Sequence, residues 1–138
     1  MPVVPINWIS LFLATFAGMI IGTLWYSPLL FGKPWMKLLG FTEKDLKPNM
    51  TKIIWFSILG NLLMAFVLTH MSYYASLFYN QRGISVTLTT AFWLWLGIVM
   101  PIQLNGWLYE KHPFNLFLIH TSYIFTTLAV MALVIGVF

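Results

Sequence analysis

Residues Phe114 to Phe138 read FNLFLIHTSYIFTTLAVMALVIGVF, a run without Asp, Glu, Lys or Arg. A helix needs about 20 apolar residues to cross the hydrocarbon core of a bilayer, so this stretch is long enough to span one. Working back along the chain, three further windows have the same property: Trp8–Tyr26, Ile53–Tyr74 and Ile84–Trp107. Aromatic residues stand at most of their ends (Trp8, Trp25, Tyr26, Trp55, Tyr73, Tyr74, Trp107 and Tyr109), as interfacial belts require. The expected fold is all-α: an integral membrane four-helix bundle forming one transmembrane domain over residues 1–138, with a cytoplasmic connection over 27–52.

Composition excludes the soluble alternative. Charged residues make up 7% of the 138 positions and hydrophobic ones 60%, whereas soluble domains spend about a quarter of their residues on charge. Cysteine is absent, which removes disulfides, thiolate nucleophiles and Cys-ligated metals. The net charge of +4 comes from lysines beside hydrophobic spans, so anionic lipid headgroups, not nucleic acid, are the expected partners. The amino terminus has no basic residue before its apolar stretch and no Ala-x-Ala site, so it reads as a retained span and not a cleaved leader.

Lys33, Lys37, Lys44, Lys47 and Lys52 lie in the first connection and Lys111 in the third, against Arg82 alone in the second. The positive-inside rule then places the first and third connections in the cytoplasm and both termini outside, in a bacterial cytoplasmic (inner) membrane. On that topology the Asn49-Met50-Thr51 acceptor pattern faces the cytoplasm and reads as chance.

Within the first connection Phe31, Trp35, Leu38 and Leu39 fall at helical spacing with Lys33 and Lys37 among them. Pro34 is placed to open a helix and Gly40 to close it. The pattern predicts a short amphipathic interfacial helix whose Phe31, Lys33, Trp35 and Lys37 meet lipid headgroups. Thr42-Glu43-Lys44-Asp45 predicts one more capped turn, ended by Pro48.

The tract Trp25-Tyr26-Ser27-Pro28-Leu29-Leu30-Phe31-Gly32-Lys33-Pro34-Trp35 resembles the hallmark of a bacterial membrane-protein family catalogued as domain of unknown function 1761. Ile6-Asn7-Trp8, Asn105-Gly106-Trp107-Leu108-Tyr109-Glu110 and the following His112-Pro113 are similar to further features of it. The resemblance spans nearly the whole chain and implies a four-helix membrane protein; it implies no active site.

Ser10, Ala14, Gly18 and Gly22 recur every four residues on the first span, a groove of small side chains against which another helix packs closely. Pro101 interrupts the third span and removes the partner of the Gly97 carbonyl, making Gly97 and Pro101 the expected bend and hinge. Trp93 and Trp95 read as packing residues at mid-membrane.

Polar groups in hydrocarbon are costly and mark sites. By helical rise, Asn61, Gln103, Asn105 and His120 fall in the cytoplasmic half of the bilayer, with Tyr26 and Glu110 at the same level. The expectation is one cytoplasm-facing polar pocket of Tyr26, Asn61, Gln103, Asn105, Glu110 and His120, with the amphipathic connection as a lid. The competing reading has these groups bond one another and hold the bundle. His70 lies too far up the second span to share a metal with His120, so neither metal nor cofactor is expected.

There is no Gly-x-Ser-x-Gly, His-Glu-x-x-His or Walker pattern, and no catalytic residue is assigned; an interfacial enzyme using Glu110 and His112 is the weaker reading. The preferred function is a non-catalytic lipid- or partner-binding membrane component. The alternative is a homo-oligomeric small-solute transporter or channel subunit, its small-molecule ligand unspecified.

Overall fold

A computed structural model describes residues 3–138. Among them are seven α-helices and no strand: α1 (Trp8–Trp25), α2 (Gly32–Leu39), α3 (Glu43–Leu46), α4 (Met50–Tyr79), α5 (Ile84–Leu94), α6 (Met100–Leu108) and α7 (Phe114–Val137). A π turn at Trp95–Val99 joins α5 to α6. Four stretches are long and apolar enough to cross a membrane: Trp8–Trp25, Glu43–Tyr79, Ile84–Leu108 and Phe114–Val137.

Local chemistry sets the ends. Asn7 caps α1 by accepting the Ser10 N–H on its side-chain oxygen at 3.1 Å, filling one of the orphan positions of a helix start. The helix stops at Ser27-Pro28, and the chain folds back on itself: the Phe31 N–H donates to the Trp25 carbonyl and the Gly32 N–H to that of Ser27, each at 2.9 Å. Gly32 is required there, because a Cβ would meet the Tyr26 carbonyl oxygen and sit 2.6 Å from that of Ser27. Helix α2 ends at Gly40 in the left-handed region (φ 74°), the conformation glycine adopts without a Cβ penalty.

The capped turn α3 ends at Leu46, just before Pro48. Among the residues joining α3 to α4, Pro48 sits in a short 3₁₀ turn, Lys47–Asn49, that runs straight into α4. A proline in a first helical turn loses no hydrogen bond the helix would have made. Helix α4 then runs past Tyr74 to Tyr79, where Asn80 stops it at φ 51°. Its 30 residues amount to about 45 Å, more than the roughly 30 Å hydrocarbon thickness.

The four long stretches pack in a ring: α1 against α4 and α7, and α5 against α4 and α7. The core at the middle is Leu11 and Ala14 of α1, Ala65 and Leu68 of α4, Ala91 of α5, and Leu128, Met131 and Ala132 of α7. The small-residue groove of α1 is used inside this bundle. A Cβ on Gly18 would strike the Asn61 side-chain oxygen and the Met131 methyl, and one on Gly22 would lie 3.0 Å from the Tyr123 hydroxyl. Ser10 and Ala14 are buried on the same face.

Candidate functional site

Consecutive residues 119 to 121 of α7 are gripped from two sides. The Trp25 indole N–H donates to the Ile119 carbonyl at 3.1 Å. The Tyr26 hydroxyl lies 2.6 Å from His120 Nδ1, and the Trp95 indole N–H donates to the Thr121 carbonyl at 2.9 Å. These carbonyls already serve the α7 ladder, and each indole uses their second lone pair. The end of α1 and the π turn are thereby held to one turn of α7.

The returning chain covers this junction. The Trp35 ring packs on Tyr26 at 4.6 Å between centroids and on Phe41 at 4.9 Å, while Phe31 packs on Trp25 at 4.8 Å. Trp35 is half-buried, whereas Lys33 and Lys37 are exposed and Phe31 is only partly covered. Of the apolar side chains expected to face lipid, Trp35 instead faces the bundle, because the tight turn at Gly32 brings α2 back over the end of α1.

His120 also lines a cleft of about 380 Å³ that opens between α6 and α7. Gln103, Gly106 and Trp107 come from α6, Glu110 and His112 from the turn, and Phe117 and His120 from α7, with Ile102 and Leu116 completing it. The turn is built by a return of the chain. Lys111 takes φ 57°, the His112 N–H donates to the Gly106 carbonyl at 3.0 Å, and a Cβ on Gly106 would crowd His112 Nδ1 at 3.3 Å. His112 Nδ1 and Glu110 Oε2 then stand 3.7 Å apart at the mouth. Both are well exposed, so the pair contributes little to stability.

Of the six residues placed in one pocket, Gln103, Glu110 and His120 line this cleft, and Tyr26 bonds His120. Asn61 and Asn105 lie elsewhere. Asn61 is 6% exposed and packs on Gly18 of α1; it donates to the Ser57 carbonyl at 2.9 Å and contacts Met19 Sδ at 3.4 Å. Because α4 begins at Met50, Asn61 stands about 16 Å along its helix, deeper than a start at Ile53 places it. Asn105 is exposed and follows Gln103 by two residues, so the two point to opposite sides of α6. Depth reasoning leaves His112 out of the pocket; the sequence pairs it with Glu110 only in the weaker interfacial reading, and both residues line this cleft.

Gly97 lies inside the π turn and Pro101 in the first turn of α6. The Met100 N–H reaches back to the Trp95 carbonyl, one residue further than in an α-helix. The wider turn accommodates the N–H that proline lacks and the carbonyl its ring would strike. Gly97 itself faces open space, and Trp93 is 63% exposed, not packed.

The family model described as Protein of unknown function (DUF1761) matches residues 9–136. The chain belongs to that family. Its matched region contains both features just described, the Trp25–Trp35 return and the Asn105–Pro113 turn. A search of curated proteins found no match, and neither did a search of solved structures.

A second cleft, of about 400 Å³, lies at the other end of the bundle, between the α4–α5 turn and the two chain ends. His70, on α4, bonds the Phe66 carbonyl at 2.8 Å and lines neither cleft. Among the described residues no group of three or more His, Asp or Glu is placed to hold a metal.

Proposed function

We propose that this protein is a non-catalytic binding component of a bacterial cytoplasmic membrane, holding the ammonium-bearing headgroup of a lipid in the α6–α7 cleft. The observation that carries this reading is the placing of the Glu110 carboxylate at the mouth of a cleft walled by Trp107 and Phe117. A carboxylate pairs with an ammonium, and an aromatic face attracts it further by about 0.5–2 kcal/mol according to desolvation. Ile102, on the rim, is 63% exposed, giving a bilayer lipid lateral entry. Gln103 and His120, further in, supply hydrogen bonds to ester or phosphate oxygens.

In the proposed orientation the first and third connections are cytoplasmic and both termini lie outside. The exposed Lys33 and Lys37 of α2 then meet anionic headgroups of the inner leaflet.

A thermal-shift titration in detergent tests the reading. Phosphatidylethanolamine at ten times its dissociation constant stabilises the folded chain by about 1.4 kcal/mol and raises Tm. The rise disappears in Glu110→Gln. An equal rise in that variant contradicts the proposal.

A second reading, an oligomeric transporter subunit, is favoured by the π turn beside the cleft and by a polar cleft at each end of one bundle. It requires flux in proteoliposomes that depends on Gln103 or His120.

A further inference from the structure

The cleft at the other end of the bundle has a different chemistry. Its wall carries hydroxyls from three helices, among them Ser10 of α1, Ser72 and Ser76 of α4 and Thr87 of α5, with Arg82 before the first turn of α5. Most hydroxyls near it are spent within the protein. Thr69 donates to the Ala65 carbonyl at 2.8 Å, Ser76 to that of Tyr73 at 2.7 Å, and Thr87 to that of Ala132 at 2.7 Å. The Ser72 hydroxyl is not spent in this way: the residue is 5% exposed and its hydroxyl has no hydrogen-bond partner. A buried hydroxyl left unpaired costs about 1–3 kcal/mol, which an occupant offering an acceptor would remove.

The charged side chain that lines this cleft is basic. Arg82 lines it and no aspartate or glutamate side chain does; the three acidic side chains, Glu43, Asp45 and Glu110, belong to α3 and the α6–α7 turn. Helix α5 starts here without a side-chain cap, so its first N–H groups offer donors beside Arg82, next to the carbonyl end of α7. Val86, Ile135 and Val137 make the remaining wall apolar. We infer that this cleft is a second binding site, separate from the Glu110 cleft, which takes a phosphate or other oxyanion carried on a short apolar chain. Arg82 and the α5 amino terminus hold the oxyanion, the Ser72 hydroxyl donates to it, and the tail lies on the apolar wall.

The chain has no cysteine, so Ser76→Cys, on the cleft wall and less buried than Ser72, gives a single thiol whose reaction with a methanethiosulfonate reports the cleft. In the full-length protein in detergent, hexyl phosphate is expected to slow labelling roughly tenfold or more, and Arg82→Gln to abolish that protection. Protection by hexyl phosphate and not by inorganic phosphate assigns the site to an amphiphile such as an anionic lipid. Equal protection by both assigns it to free phosphate. Protection equal to that from hexyltrimethylammonium, no protection at all, or a thiol that never labels overturns the inference. Should Ser76→Cys fail to fold, Tyr73→Cys, in the same cleft, reads the same outcomes.

Discussion

The hydroxyl of Tyr26, the residue that ends the first span, lies 2.6 Å from Nδ1 of His120 in the last one. This bond joins residues 94 positions apart and holds His120, which lines the α6–α7 cleft, to the end of α1. Its strength is measurable by a double-mutant cycle of Tyr26→Phe and His120→Phe, with unfolding followed in mixed micelles. The expected coupling is about 0.6 kcal/mol, the usual size for a side-chain bond between membrane helices. Strictly additive single effects contradict the bond.

The glycines of the spans should separate sharply. Gly18→Ala places a methyl on the Asn61 oxygen and the Met131 methyl, and overpacking of that kind costs about 1–3 kcal/mol. Gly60 and Gly97 have nothing within 4 Å of where a Cβ would stand, so Gly60→Ala is expected to leave stability unchanged or raise it by up to about 1 kcal/mol. Unfolding titrations of Gly18→Ala and Gly60→Ala check the contrast.

Trp35→Ala removes the ring that covers Tyr26 and abuts Phe41. Aromatic pairs contribute about 0.5–1.5 kcal/mol each beyond their buried area. Amide hydrogen exchange should therefore accelerate over residues 32–46 while α1 and α7 keep their protection. Faster exchange throughout all helices would show that α2 supports the whole bundle and not its own docking alone.

The four apolar stretches and most of their ends were legible in the sequence because hydropathy, Pro28, Gly40 and the aromatic ends all pointed the same way. The site was only half legible. Depth along a helix was enough to gather Gln103, Glu110 and His120 at one level, but it carries no rotation about the axis. Residues two apart are about 200° apart on an α-helix, which already separates Asn105 from Gln103. The π turn between α5 and α6 and the return of His112 onto Gly106 depend on packing that hydropathy does not encode. The inward turn of Trp35 likewise follows from the close approach of Gly32 to Tyr26 and Ser27, visible only in three dimensions.

Native mass spectrometry of the full chain, released from nanodiscs containing phosphatidylethanolamine and phosphatidylglycerol, tests the role of the Glu110 cleft most directly. The wild type is expected to carry one phosphatidylethanolamine per chain, Asn61→Leu to keep it, and Glu110→Gln to lose it. Retention of phosphatidylethanolamine by Glu110→Gln at the wild-type level, or its absence from the wild type, would contradict a headgroup site at Glu110.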